Sequence, residues 1–244
     1  MARAAEGTLE GDDVEVTSVT TDSRLAGPGA LFVALAGERT DGHRFVDAAF
    51  DAGAAAAIVH EGGGSGPLVR VGSTGDALMR LAADERGRAG ATVVGITGAN
   101  GKTSTKDLAA AVIGTRARTH ASPASFNNEV GLPMTLLGAP EGTEAVVAEM
   151  GARRLGDVKL LCGIARPDVV VVTNVGVAHI ELFGSWASIV EACAEPVEAI
   201  DPDGVAILNA DDGVAAGYAG RCAGRVTTFG TDEGADVRAD EVRL

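Results

Sequence analysis

Thr92-Val93-Val94-Gly95-Ile96-Thr97-Gly98-Ala99-Asn100-Gly101-Lys102-Thr103-Ser104-Thr105-Lys106 decides how the chain is read. A β-branched apolar run ends at Thr97-Gly98, a Gly-Lys-Thr follows, and Asp107-Leu108-Ala109-Ala110-Ala111-Val112-Ile113 reads as a helix. Strand, glycine loop and helix in that order present backbone N–H groups and the positive end of a helix to phosphate. In this reading the glycines let the backbone approach the anion, Lys102 neutralises the β- and γ-phosphates, and Thr103 or Ser104 holds Mg2+. Ile96 stands where the usual phosphate-loop spacing has its first glycine. A glycine turn beside an exposed lysine is the plain alternative, and the flanking strand and helix weigh against it. The stretch is taken as a nucleoside triphosphate site.

Outward from it, strands and helices alternate, which predicts a mostly parallel sheet flanked by helices. The expected strands are Thr92–Thr97, Ala145–Glu149, Val169–Asn174, Val205–Asn209 and Val226–Phe229, each followed by polar or glycine-containing sequence where ligands of such sheets gather. The last ten residues, from Ala235, read as one more strand with no turn or cap after it, so the chain is expected to stop inside a domain. Before Gly87–Gly90, a plausible linker, a smaller α/β unit is expected. Its strands are Val14–Val19, Ala30–Leu35, Ala54–Val59 and Leu68–Val71, and its helices are Arg44–Ala52, stopped by Gly53, and Asp76–Arg88. The division is therefore 1–88 and 89–244.

The chain has 244 residues and a formal charge of -14, which argues against a nucleic-acid or anionic-membrane surface while leaving room for a local basic pocket. Lys102, Lys106 and Lys159 are its three lysines, and two of them sit in or beside the glycine loop. Cys162, Cys193 and Cys222 are odd in number and widely spaced, which suits free thiols in a reducing compartment. The opening residues lack the apolar stretch of a signal peptide, and no run is long enough to span a bilayer. A soluble, cytoplasmic protein with no membrane insertion is expected.

Four further groups could carry chemistry. Glu149 closes a buried strand and could hold Mg2+ or its water, or be a helix-entry acid before Gly151. Asn174 and His179 follow the next strand on the face where Lys102 and Glu149 would also lie; a lone histidine is more often structural, but this convergence favours function. Asn209-Ala210-Asp211-Asp212 offers polar groups to a base or ribose, or caps the next helix. Asn127 and Asn128 form a turn between apolar runs or hydrogen-bond a polar ligand.

Together, Ile96–Thr103, Ser125–Pro133, Glu149-Met150-Gly151-Ala152, Thr173–His179 and Phe183-Gly184-Ser185 resemble the ATP-dependent Mur ligases of peptidoglycan synthesis. Within that family they are most similar to the branch that adds D-alanyl-D-alanine to UDP-N-acetylmuramoyl-tripeptide. Asp22-Ser23-Arg24 and Gly37–Phe45 resemble its amino-terminal domain, which holds the uridine nucleotide substrate. The resemblance implies that ATP phosphorylates the terminal carboxylate and that the dipeptide amine attacks the acyl phosphate. It also implies roles: Gly98, Ala99, Asn100, Gly101, Lys102, Thr103 and Ser104 on the phosphates; Thr103 and Glu149 on one Mg2+; His179 on a second; Asn209 at the adenine or ribose; Asn127 and Asn128 along the substrate path; Ser23 and Arg24 on the uridine nucleotide. The complete protein is expected to be a monomer.

Three departures accompany it. The family carries a carbamylated lysine in the helix after the histidine motif; Glu191-Ala192-Cys193-Ala194-Glu195 puts Cys193 there, a thiol cannot form a carbamate, and Pro196 is expected to disturb that helix. The central domain is expected to be incomplete and the carboxy-terminal ligase domain absent. A first helix expected before Gly7-Thr8-Leu9 is missing. The rival reading is a truncated or non-catalytic relative that binds nucleotide without forming an amide. A folate polyglutamate synthetase fits less well, because of Asp22-Ser23-Arg24 and Phe183-Gly184-Ser185.

Overall fold

The computed structural model describes residues 1–240 apart from Glu38, Arg39 and His179. The chain forms two compact units, the first Met1–Arg88 with Leu136–Gly138, the second Ala89–Thr135 with the chain from Ala139 onward.

The first unit carries β1 (Thr8–Glu10), β2 (Ser18–Thr20), β3 (Ala30–Val33), α1 (Val46–Asp51), β4 (Ala56–Val59), β5 (Leu68–Arg70) and α2 (Thr74–Arg88). The sheet order is β1-β5-β4-β3-β2, parallel except for β1. β3 and β4 are buried on both faces, as their unbroken apolar runs require. Phe32, Ala34, Val46, Ala49, Ala57, Val59 and Leu68 form the core between this sheet and α1. The strand expected over Val14–Val19 is much shorter in the structure, because its partner begins at Ala30, opposite Ser18; residues 14–17 alternate in burial with no strand beside them. β1 was not anticipated from the sequence.

The second unit contains β6 (Thr92–Thr97), α3 (Lys102–Ile113), β7 (Thr119–Ala121), α4 (Gly131–Leu137, whose last residues fall in the first unit), β8 (Ala145–Glu149), α5 (Asp157–Ala165), β9 (Val169–Val172), α6 (Ile180–Phe183), α7 (Trp186–Glu198), β10 (Val205–Asn209), α8 (Gly213–Gly217), β11 (Arg225–Gly230) and β12 (Val237–Arg238). All seven strands are parallel, in the order β12-β11-β10-β9-β6-β8-β7. An α/β fold with a parallel sheet flanked by helices is thus what the structure has. The period-2 alternation of β9 explains how both faces are filled: Val170 and Val172 pack with α7 and α8, whereas Val171 packs with β6 and α3.

β6 lies between β8 and β9, with Ile96 level with Glu149 and Thr97 level with Val172. This register brings three strand ends, and the loops after them, to one edge of the sheet. α3 begins at Lys102, earlier than the apolar run from Asp107 indicates, because Gly101 turns the chain with a left-handed φ of 79°. The tail forms strand only at Val237–Arg238 among the described residues. α7 runs through Pro196 to Glu198 without stopping; Ala192, Ala194 and Val197 are buried on its inner face, and this packing outweighs the hydrogen bond that proline removes.

Candidate functional site

The loop between β6 and α3 has two sides. On one, Lys102 folds back and donates Nζ–H bonds to Gly98 O (2.7 Å) and Ala99 O (3.2 Å). On the other, Ala99 N–H donates to Asn174 O (3.0 Å) and Asn100 N–H to Asn174 Oδ1 (3.0 Å). Gly98 has φ 132°, and a side chain there would collide with Thr173 Oγ1, so only glycine fits. Thr105 N–H donates to Gly101 O, the first bond of α3. The N–H groups before it, on Gly101, Lys102, Thr103 and Ser104, are the ones a helix start leaves without intrahelical acceptors.

Thr103 Oγ1 donates to Glu149 Oε2 (2.7 Å) and Asn127 Nδ2 donates to Glu149 Oε1 (2.8 Å). Glu149 is buried, and among the described residues no ion pair neutralises it. A buried carboxylate satisfied by two neutral donors, beside a hydroxyl and an amide, is an all-oxygen set of the kind that suits Mg2+. With the loop N–H groups and Lys102 next to it, the residues present fit a magnesium–nucleotide. Three histidine, cysteine or carboxylate side chains do not cluster around a common point anywhere among the described residues.

Asn127 is held from several sides. Gly151 N–H donates to its carbonyl (2.8 Å), while Lys106, buried in α3, donates Nζ–H bonds to Ser122 O (2.7 Å) and Ala124 O (3.0 Å) and so anchors the segment before it. Ser122 Oγ in turn accepts from Glu149 N–H (3.2 Å). Asn128 caps α4, its Oδ1 accepting from Gly131 N–H at 2.8 Å. Asn209 donates to Thr173 O (2.8 Å) and accepts from Asp211 N–H (2.9 Å), so its amide braces the loop after β9. Asp212 caps α8 and accepts Val175 N–H (2.7 Å). His179 lies outside the described residues.

Cys193 packs beside the α7 core; burial pushes its thiol up to about 11, against the pull of Lys102 and with the push of Asp212 and Glu195. A neutral thiol sits where the resemblance expects a charged carbamate.

In the first unit, Asp22 accepts Arg24 N–H (3.0 Å) and pairs with its guanidinium (2.6 Å). The Arg24 side-chain and backbone bonds hold the Asp22 carboxyl down at about 2. Ser23 and Arg24 thus lie on one capped turn, with the Arg24 side chain 86% exposed. His43, in the Gly37–Phe45 segment, has Nδ1 2.6 Å from Asp41 Oδ1, and its Nε2 accepts His60 N–H (3.1 Å). Glu38 and Arg39 of that segment lie outside the described residues. Lys106, Ser122, Thr173 and Glu195 were not singled out as site residues from the sequence, whereas Asp212 fulfils the helix-capping alternative given for residues 209–212. The one available signal was that Lys106 repeats the rare Lys102 one helical turn later.

The chain matches the Mur ligase middle domain over residues 96–244 and the Mur ligase family catalytic domain over residues 15–86. It is 41% identical over 219 residues to the UDP-N-acetylmuramoyl-tripeptide–D-alanyl-D-alanine ligase of Bacillus subtilis, covering 87% of this chain and 48% of that protein. Its identity to the Escherichia coli ligase of the same name is 39% over 212 residues, covering 84% and 46%. The crystal structure of MurF from Acinetobacter baumannii superposes with a TM-score of 0.91 at 33% identity, covering 99% of this chain and 54% of that one. The MurF ligase of Thermotoga maritima, solved in complex with ADP, superposes at 0.81 with 35% identity, covering 91% and 52%. The chain spans about half the length of these relatives.

Proposed function

Because the chain belongs to the Mur ligase family, we propose that it is the part of a peptidoglycan-precursor ligase that binds ATP–Mg2+ and the uridine nucleotide substrate. The reaction is the joining of D-alanyl-D-alanine to UDP-N-acetylmuramoyl-tripeptide. The observation that carries the reading is the Thr103–Glu149 hydrogen bond at the start of α3, with Asn127 on the other carboxylate oxygen.

ATP, when bound, supplies the phosphoryl group that activates the terminal carboxylate for amide formation. The N–H groups of Gly101, Lys102, Thr103 and Ser104, with the positive end of α3, receive phosphate oxygens. Lys102 exchanges two carbonyls for phosphate and neutralises developing charge. Thr103 and Glu149 hold Mg2+, and Asn127 fixes the orientation of the carboxylate. Gly98, Ala99 and Asn100 shape the loop, Asn209 lies toward the adenine or ribose, and Asn128 lies along the substrate path. Ser23 and Arg24 contact the uridine nucleotide from the first unit, and His179 takes a second Mg2+. The protein's work is positioning and charge neutralisation. The incoming dipeptide and cytoplasmic cell-wall synthesis follow from the same reading.

Isothermal titration with ATP and Mg2+, with and without the uridine nucleotide substrate, tests it on wild type and Lys102→Ala. Binding by wild type and not by Lys102→Ala is the expected result; no binding by either sinks the reading. Cys193 favours a second reading, a relative that binds nucleotide without forming the amide. Phosphate release that depends on D-alanyl-D-alanine decides between the two.

A further inference from the structure

Three consecutive peptide planes of the phosphate loop are fixed by Thr173 and Asn174, which no role assigned above includes. Ala99 N–H donates to Asn174 O (3.0 Å), which sets the plane between Gly98 and Ala99. Asn100 N–H donates to Asn174 Oδ1 (3.0 Å), which sets the next. Asn100 O accepts from both Asn174 Nδ2 (2.9 Å) and Thr173 Oγ1 (2.7 Å), which fills both of its lone pairs and sets the third. Thr173 is 7% exposed, and its hydroxyl also lies 3.1 Å from Thr97 O; with one proton to give, it favours the shorter partner.

In a trans peptide the C=O and N–H point opposite ways. Holding the Ala99 and Asn100 N–H groups toward Asn174 therefore turns the Gly98 and Ala99 carbonyls to the other side. Those are the two carbonyls that Lys102 Nζ binds. By the same geometry, holding Asn100 O toward Thr173 and Asn174 turns Gly101 N–H away from them. A Cβ on Gly101 would meet nothing within 4 Å, so there is open space beside this residue. The pair is itself braced from β10: Asn209 donates to Thr173 O (2.8 Å), and Asp212 accepts Val175 N–H (2.7 Å).

We propose that Thr173 and Asn174 are positioning residues for the phosphate loop. They prevent the peptide flips that would turn carbonyls into the anion cradle, and they build the seat on which Lys102 waits. Sequence spacing cannot reveal this, because Asn174 acts on a loop 74 residues earlier. The proposal rests on the reading of residues 97–104 as a nucleotide site.

The test compares Mg-ADP affinity by titration calorimetry for wild type, Asn174→Ala, Thr173→Val and Thr173→Ser, with circular dichroism and thermal midpoint as fold controls. Hydrogen exchange of the 97–104 segment, without nucleotide, supplies a readout independent of binding. Asn174→Ala and Thr173→Val are expected to lose at least tenfold in affinity and amide protection at Asn100, while folded. Thr173→Ser keeps the hydroxyl and is expected to stay within twofold of wild type, which a mere packing role for the threonine methyl would not give. Wild type that binds Mg-ADP while Asn174→Ala and Thr173→Val bind it equally well overturns the proposal alone. Wild type that takes up no nucleotide overturns the nucleotide reading, and this proposal with it.

Discussion

The turn at Asp22–Arg24 and the loop at Gly98–Ser104 are both short motifs proposed to meet a nucleotide, yet they are built in opposite ways. The first holds itself: Asp22 bonds to the backbone and the side chain of a residue two positions away, and the Arg24 guanidinium stays in water. The second is held by the rest of its sheet. Thr103 reaches Glu149 across 46 residues, Asn100 reaches Asn174 across 74, and Glu195 of α7 secures the loop after Glu149 by accepting Gly156 N–H (2.5 Å) and Lys159 N–H (2.8 Å). A self-held turn tolerates change around it. A loop assembled from three strand ends inherits every disturbance of those strands.

Four substitutions probe that contrast, beginning with the largest effect. Lys102→Ala removes the charge that faces the proposed phosphates, and nucleotide affinity is expected to fall at least a hundredfold by calorimetry, a loss of about 2.7 kcal/mol or more. Retained affinity would remove the second region from the comparison. Glu195→Ala leaves the N–H groups of Gly156 and Lys159 without their acceptor, at roughly 1–3 kcal/mol each. Its thermal midpoint should fall by about 2–4 °C for every kcal/mol lost. An unchanged midpoint would mean that the loop after Glu149 does not need α7.

Lys106→Met strips the donor from Ser122 O and Ala124 O, and a loss of about 1–3 kcal/mol is expected in urea unfolding. If Lys106→Met is as stable as wild type, the Asn127 segment holds itself, as the Asp22 turn does. The smallest effect belongs to Asp22. Its folded-state pKa, about 2, lies below the ordinary 3.8, so any stabilisation is complete above 3.8 and is lost as pH falls toward 2. Because the pair is exposed, Asp22→Asn should leave the thermal midpoint at pH 7 unchanged within error and flatten only the acid limb below about pH 4. A midpoint shift of several degrees at pH 7 would show that this turn, too, is tied into its unit.

What could be read in advance follows the same division. β6, β8 and β10 have the bounds read from the sequence, because each has an apolar middle and ends on a polar residue, Thr97, Glu149 or Asn209, where its loop starts. β7 escaped notice: a three-residue edge strand, half-buried throughout, has neither an apolar run nor clean alternation. The helical start at Lys102 was hidden because Lys102 through Lys106 are polar on every side, and the left-handed Gly101, not hydrophobic periodicity, begins the helix. Glu149 stood out as a carboxylate at a strand end. Thr173 and Glu195 did not, since each works by hydrogen-bonding a backbone N–H or C=O on another element, and backbone partners leave no trace in residue identity.

The placement of β6 between β8 and β9 also governs how the molecule is made. Its neighbours come from residues 53 and 75 positions later, so this interior strand waits for chain that follows it. Contacts of such sequence separation close slowly, because loop entropy is lost before the pairing rewards it. The proposed nucleotide site depends on these pairings, and a ligand that recognises only the finished loop draws the equilibrium toward the fully paired sheet. Unfolding monitored with and without Mg-ADP would register that pull as ligand-dependent slowing of the opening of β6, β8 and β9 together.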